Sequence, residues 1–419
     1  MRLTSLSLAA LAFACLLAVG ALDGCVHLDR VGDPPRSAAE TPPLVLISVD
    51  GMRHDYLDRA DADTPTLDRL VADGLRADAL VPVFPTKTFP NHYSLVTGLH
   101  PQDHGIVDNT MRDPERLVDG EPARFSLSDR DAVTDSRWWG GEPVWVTAER
   151  AGIAVGTVSW PGSEAEIGGI RPTDWLAYDG AMPYAERVDT ALGWIADGAG
   201  LVTLYFEGVD TAGHRHGPMA DETARALEDV DAALGRLMDG LAARPANVVL
   251  VSDHGMADVS PERRVYLDDA IDLAEADEVR WGAFGGLWPA DGADPAALVA
   301  RIDALDHADA FLRQDAPAHL HYGDHARIPP IGIVLDEGWS LSSRAYAARN
   351  PDRPSGGAHG YDTTARSMHG VFVARGPAFH TGTTAEIAAV DVLNVLTGAL
   401  GISAPPNAGD AAAAARVLR

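Results

Sequence analysis

Residues 43–50, PLVLISVD, form an unbroken apolar run that ends on a carboxylate. A strand with one wet face alternates polar and apolar residues. One that is apolar at every position is buried on both faces, as in a parallel sheet covered by helices on each side. The next segment, TPTLDRLVADG (64–74), predicts a helix with Thr64 as N-cap, Pro65 at the first helical position and Gly74 as its stop. The same alternation then recurs. ADALVPVF (77–84), GIAVGTVSW (152–160), LVTLYFE (201–207) and ANVVLVSD (246–253) read as short buried strands. A helix opens near Thr88, and helices are predicted over 183–197 and 219–242. HGVFVARGPAF (369–379) is expected to close the sheet, with a final amphipathic helix over 383–400. The pattern predicts a three-layer α/β sandwich with a mostly parallel central sheet. Residues 262–350 break the alternation and predict a small inserted subdomain within a domain spanning 43–402. The tail, 403–419, is expected to fray or to form a short helix.

Composition narrows the partners. The chain has 419 residues, 46% hydrophobic and 22% charged, ordinary for a globular protein with a large core. Its formal net charge of −28 opposes binding to long nucleic acid polymers. Small phosphate esters stay possible where cations invert the local potential. Residues 1–24 carry one early Arg and an apolar run ending in small residues, the pattern of an export signal. LDGC (22–25) resembles a lipoprotein cleavage box that would place a lipid on Cys25, while cleavage after Ala21 is the competing outcome. Residues 25–42 read as a tether. The expected location is therefore the periplasm, either free or membrane-anchored through Cys25. Cys15 and Cys25 are the only cysteines, and Cys15 lies within the signal, so no internal disulfide is expected in the mature chain.

The chemistry-bearing residues fall at the ends of these predicted strands. Asp50, Asp210 and Asp253 each end or follow one, in LISVDGM, EGVDTAGH and VSDHGM. In open α/β sheets the ligand crevice lies outside the carboxyl ends of the strands. One Asp there reads as a turn or a helix cap. Three of them, with His214 four residues after Asp210, His254 beside Asp253, and His359 in GGAHGYD, point to metal ligation. Asp210 and His214 share one face of a helical turn. Asp253 and His254 can share an ion only at a bend, which Gly255 permits. Thr88, in FPTKTFPNHY, precedes a helix whose N-terminal N–H groups can hold a phosphate oxygen. Alone it reads as a helix cap, but metal coordination would make its hydroxyl a nucleophile. Asn109, in GIVDNTM, can donate to a phosphate oxygen or serve a turn. His216 and His369 are set aside as ordinary histidines. Three carboxylates, three imidazoles and one hydroxyl suit two borderline divalent cations such as Zn²⁺, an arrangement fitted to displacement at phosphorus.

These motifs resemble the nucleotide pyrophosphatase/phosphodiesterase family of the alkaline phosphatase superfamily, in its compact bacterial type. The resemblance runs through SVDGMRHDYL (48–57), PVFPTKTFPNHYSLVTGLHPQDHGI (82–106), WPGSEAEIGGIRP (160–172), VDTAGHRHGP (209–218), VSDHGM (251–256) and HGYD (359–362). It implies an alkaline-phosphatase-like fold and two zinc ions. The first ion would lie on Asp210, His214 and His359, the second on Asp50, Asp253, His254 and the nucleophile Thr88. It also implies that Asn109 contacts the phosphate, helped by the Phe89 N–H. A base would stack between Phe89 and an aromatic at Trp175, with Tyr178 as the other candidate. The implied activity is release of a nucleoside 5′-monophosphate from a small nucleotide or phosphodiester substrate, through a phospho-threonine. The alternatives are a phospholipid or other alkyl phosphodiesterase (or a phosphomonoesterase) on the same site, and an inactive metal- or nucleotide-binding lipoprotein.

Overall fold

The computed structural model describes residues 41–419. The predicted export signal, Cys25 and nearly all of the 25–42 tether lie outside the described residues. The main sheet has eight strands. In chain order they are β1 (Leu44–Val49), β2 (Leu75–Ala77), β3 (Val155–Val158), β4 (Asp174–Leu176), β5 (Leu201–Phe206), β6 (Asn247–Val251), β7 (Phe372–Arg375) and β8 (Gly382–Thr384). Their spatial order is β8-β2-β7-β6-β1-β5-β3-β4. The run β6-β1-β5-β3-β4 is parallel throughout, and only β7 runs against its neighbours.

Strand β1 shows why the apolar run had to be continuous. Leu44 and Leu46 point into one core, and Val45, Ile47 and Val49 into the other. The first face is covered by helices that include Thr88–Thr97 and Val392–Leu400. The second is covered by Pro65–Asp73, Tyr184–Asp197 and Asp221–Leu241. The result is a three-layer α/β sandwich. Helix Pro65–Asp73 starts at the predicted proline, but the Thr64 side chain does not cap it. The carboxylate of Asp231, from the neighbouring long helix, accepts from the N–H groups of Thr66 and Leu67 at 3.1 and 2.7 Å. A tertiary contact has replaced the local cap.

Two expectations are corrected. The segment 383–400 is not one helix. Residues 382–384 form β8, which pairs with β2, and Ile387–Ala388 pairs with Leu80–Val81, so the helix begins at Val392. The Thr-rich start of that segment gains more from the free edge of β2 than from a helical turn. The helix itself is buried nearly all round rather than amphipathic. Strand β7 does not close the sheet but lies inside it, between β6 and β2. Within the 262–350 region a four-stranded antiparallel sheet forms from Ala276–Arg280, Phe284–Pro289, Ala308–Leu312 and Ile331–Leu335, over its own core of Leu287, Leu298, Ile302 and Ile333. The tail forms helix Ala411–Val417, capped by Asp410, with Ala413, Ala414 and Val417 buried. No helix among the described residues is long and apolar enough to cross a membrane.

Candidate active site

Strands β6, β1 and β5 are adjacent and parallel, so their carboxyl ends open side by side. Asp253 follows β6, Asp50 follows β1, and Asp210 lies in the first turn of helix Gly208–His216 after β5. That order alone gathers three carboxylates at one edge. Gly51 makes the contact possible. Its φ is +68°, and a Cβ there would lie 2.9 Å from the Cα of Asp210. The chain bends at Asp253 as expected, and Gly255 also packs tightly against a neighbouring segment. A Cβ on it would meet the Ser367 carbonyl oxygen at 2.0 Å, so close packing excludes a side chain.

The histidines arrive by separate routes. His214 stands one turn after Asp210 on the same helix, with its Nε2 3.4 Å from Asp210 Oδ1. His359 follows Gly356–Ala358, a strand that pairs antiparallel with Ala257–Val259, just beyond His254. His359 Nε2 lies 3.1 Å from His214 Nε2 and 3.6 Å from Asp210 Oδ1. His254 Nε2 lies 3.0 Å from Asp253 Oδ2 and 3.5 Å from Asp50 Oδ1. The His254 and His359 rings stack at 3.6 Å, which joins the two groups. His254 belongs by distance to both Asp50–Asp253 and Asp210–His359.

Each imidazole is tied by its Nδ1 to a backbone carbonyl: His214 to Gly357, His254 to Gly255 and His359 to Thr86, at 2.9, 2.9 and 2.7 Å. A carbonyl only accepts, so each Nδ1 carries the hydrogen and each Nε2 turns its lone pair inward. The inward atoms lack partners. Asp50 Oδ1, Asp210 Oδ1, Asp253 Oδ2 and His254 Nε2 are buried with no hydrogen bond. Buried polar atoms are rarely left so, because each costs about 1–3 kcal/mol. Four of them converging, with this mix of oxygen and imidazole donors, fit a pair of divalent cations.

The charges agree with that fit. Burial, with Asp253 and Asp210 nearby, pushes the Asp50 carboxyl well above its ordinary range. Burial also raises Asp210. At Asp253 burial would do the same, but His254 and His92 outweigh it and hold the carboxyl well below the ordinary range. Burial, then His254 and His214, holds His359 well below the usual imidazole value. Burial would lower His254 as well, but Asp253 outweighs it and raises that imidazole, so the site crowds buried groups whose charges a cation relieves.

Thr88 is the first residue of helix Thr88–Thr97. Two links fix the chain around it. Lys87 Nζ bridges both oxygens of Asp108 at 2.9 Å, and the Phe89 N–H donates to Asn109 Oδ1 at 2.8 Å. The Phe89 N–H is therefore engaged with Asn109 rather than free beside it, and the Asn109 Nδ2 is left to donate elsewhere. The Phe89 ring leans on Phe125 and Trp139, with centroids 5.8 and 6.0 Å away. Of the two aromatic candidates, Tyr178 is brought to the site. Its ring lies 6.1 Å from that of Tyr205, whose hydroxyl donates to Asp50 Oδ2 at 2.5 Å. Trp175 stays within edge strand β4, under the Arg171 guanidinium. The two placements differ by position along the chain: Tyr178 lies past the carboxyl end of β4, and Trp175 lies within the strand.

Sequence reasoning missed three supports. His92 is fully buried, with Nδ1 2.9 Å from the Thr88 carbonyl and 3.3 Å from Asp253 Oδ2, and Nε2 2.8 Å from Ser48 Oγ. It ties the Thr88 turn to the Asp253 carboxylate. Its spacing of four from Thr88 was the available signal. Thr86 holds the His359 loop, accepting from Gly360 N–H and donating to the Tyr361 carbonyl. Tyr205 left no signal, because a Tyr in a buried strand reads as core.

A carboxylate–imidazole cluster across neighbouring strand ends, tied through His92 to the helix start at Thr88, places the molecule among the α/β proteins of the alkaline phosphatase superfamily. Comparison with known proteins narrows that class. The type I phosphodiesterase/nucleotide pyrophosphatase family matches residues 44–362. The chain is 35% identical over 404 residues to human ectonucleotide pyrophosphatase/phosphodiesterase family member 1, covering 91% of this chain and 42% of that protein. It is 34% identical over 395 residues to the venom phosphodiesterase of Macrovipera lebetinus, covering 89% of this chain and 45% of that one. It thus spans less than half the length of these curated relatives. The solved structure of murine ectonucleotide pyrophosphatase/phosphodiesterase 5 superposes with a TM-score of 0.82 at 32% identity, covering 90% of this chain and all of that one. An inactivated variant of the murine protein in complex with AMP superposes equally well. The chain belongs to the type I phosphodiesterase/nucleotide pyrophosphatase family.

Proposed function

We propose that this protein is an exported two-zinc phosphodiesterase that cleaves small nucleotide diesters and pyrophosphates to nucleoside 5′-monophosphates. The observation that carries the reading is the convergence of four unpartnered buried ligand atoms at strand ends shared with the turn that bears Thr88. Asp210, His214 and His359 would hold one zinc, and Asp50, Asp253, His254 and the Thr88 hydroxyl the other. The ions would lower the pKa of that hydroxyl and neutralise charge gathering at phosphorus. Thr88 Oγ attacks the phosphorus in line, forming a phospho-threonine as the bond to the leaving oxygen breaks. Water then cleaves that ester, releasing the nucleoside 5′-monophosphate and restoring Thr88. Asn109, with its Oδ1 fixed by the Phe89 N–H, donates from Nδ2 to a non-bridging oxygen. Phe89 and Tyr178 offer faces to the base. The AMP complex of the murine relative supports a nucleotide in such a site.

The test is one panel of rates: a nitrophenyl nucleotide diester, a nitrophenyl phosphate monoester and a nitrophenyl choline phosphodiester. The nucleotide diester should turn over fastest, because stacking on an aromatic ring contributes about 1–3 kcal/mol per base elsewhere. Faster turnover of the choline ester would move the protein to the alkyl phosphodiesterases.

A further inference from the structure

A cavity of about 980 Å³ borders the candidate metal centre at His214. His214 forms part of its wall as well as part of the ligand set, and the wall continues along Arg215, Trp281, Tyr346, Arg349 and Arg353. The far side belongs to the 262–350 region, whose role the catalytic reading leaves unexplained. The charge on this cavity's wall is opposite in sign to the net charge of the chain. The chain carries 61 acidic against 33 basic residues, yet no carboxylate lines the cavity and three arginines do. Arginines in this protein are mostly paired to carboxylates, as Arg59, Arg187, Arg236 and Arg344 are. Among the described residues, Arg215, Arg349 and Arg353 form no ion pair. Unpaired guanidiniums around a concavity suit a phosphate, which they grip with paired N–H groups. Two large rings stand exposed beside them: Trp281 is 45% and Tyr346 46% accessible. Exposed aromatics on a cationic wall suit a planar ring.

The position of the cavity gives its place in the reaction. The proposed ligand sets put the Thr88 hydroxyl with Asp50, Asp253 and His254, and His92 links the Thr88 turn to Asp253. In-line displacement puts the leaving oxygen opposite the nucleophile, on the side of Asp210, His214 and His359. That side borders the cavity. Phe89 and Tyr178 are not among the residues lining this cavity, and in the proposed reading they serve the half that is retained.

We infer that this cavity is the leaving-group subsite, and that Arg349, Arg353 and Tyr346 select substrates by their leaving half, which carries phosphate and a planar ring. The inference rests on the proposed phosphodiesterase reading. The leaving half departs with the electrons of its bond to phosphorus, as a phosphate anion. The arginines would hold that anion before cleavage and in the transition state.

The experiment compares two substrates that share the retained adenosine 5′-phosphate half. Diadenosine tetraphosphate has a leaving half with phosphates and a base, whereas the nitrophenyl ester of AMP has neither phosphate nor base beyond the scissile bond. The variants are Arg349→Ala with Arg353→Ala, and separately Tyr346→Ala. All three side chains are exposed, so the fold should tolerate them. The double variant should lose about tenfold or more in kcat/KM on the tetraphosphate, mainly through KM, as expected for lost charged hydrogen bonds. On the nitrophenyl ester it should change by less than about twofold. Tyr346→Ala should show the same asymmetry, more weakly. Equal losses on both substrates, or none on the tetraphosphate, would overturn the subsite. A wild-type enzyme that cleaves the nitrophenyl ester but not the tetraphosphate would also overturn it, leaving the phosphodiesterase reading intact. Failure on both substrates would refute the phosphodiesterase reading itself.

Discussion

Replacing Tyr205 with Phe removes one oxygen from a buried site and tests what the Tyr205–Asp50 contact does. The hydroxyl donates to Asp50 Oδ2 at 2.5 Å, while Asp50 Oδ1 has no partner within the protein. The ring is held independently, edge to face with His92 at 5.1 Å and with Tyr178 at 6.1 Å. Phe should therefore keep the packing and lose only the hydrogen bond. Burial, followed by the charges of Asp253 and Asp210, already raises the Asp50 carboxyl, and the Tyr205 bond counteracts that rise. A cation needs the carboxylate form, so the bond favours the state that binds. A hydrogen bond to a charged group contributes about 1.5–3 kcal/mol. Losing such support for a ligand typically costs about 10–100-fold in metal affinity. The expected result is a fall of that size at one of the two proposed zinc sites, measured by titrating stripped protein against a chromophoric chelator. The sign for pH follows. Without Tyr205 the Asp50 pKa rises further, so zinc should be released at higher pH than in the wild type as the solution is acidified. Unchanged affinity at both sites would refute the reasoning. Equal loss at both with altered circular dichroism would show instead that Tyr205 is a packing residue.

Thr88→Ala should leave the carboxylates and imidazoles, and hence most zinc, in place while turnover falls by several orders of magnitude; Thr88→Ser should retain part of it. More than about a tenth of wild-type kcat in the Ala variant, only ~1.4 kcal/mol of barrier, would refute the nucleophile assignment. A separate expectation concerns acid stability. His104 is buried, its Nδ1 accepts from the Ile106 N–H at 3.1 Å, and burial pushes its pKa down to about 3. The unfolded chain takes up this proton near pH 6.5, so the contribution of His104 is complete above that value and erodes as pH falls toward the folded pKa. His104→Gln should remove up to about 1.4 kcal/mol of pH dependence per unit in that window, read from denaturant midpoints of both proteins at saturating metal. Parallel curves would count against it.

The sequence made the ligands legible one at a time and the site only by resemblance. Asp50 and Asp253 stand out because uniformly apolar strands end just before them. Asp210 and His214 stand out by helical spacing. What gathers them is the order β6-β1-β5, which joins segments about 40 to 200 residues apart and leaves no local trace. The same limit hid His92 and Tyr205. Each looks like core, and only the register between elements turns it toward Asp253 or Asp50. Trp175 and Tyr178 show the resolving power of pattern reading near a strand end, where three positions separate a sheet residue from a crevice residue. The error over 383–400 has a tertiary cause as well, since β8 exists only because β2 offers it an edge.

The net charge of the chain bears on what the centre can accept. A protein at −28 repels phosphates over most of its surface, and three converging carboxylates deepen that potential locally. The three Nδ1–H groups are spent on backbone carbonyls, and Lys87 is cancelled by Asp108. Two divalent cations against three carboxylates would leave the centre about one charge positive. A phosphodiester brings one negative charge and closes that balance. A monoester brings about 1.5–2 and overshoots it, with no arginine among the candidate catalytic residues to receive the excess. Further phosphates on a leaving group meet the same obstacle unless they are held elsewhere. The unpaired Arg215, Arg349 and Arg353, in a cavity without carboxylates on the leaving-group side, sit where that second balance has to be made. Diester preference at the proposed metals and anion capture beside them would thus be two parts of one electrostatic solution.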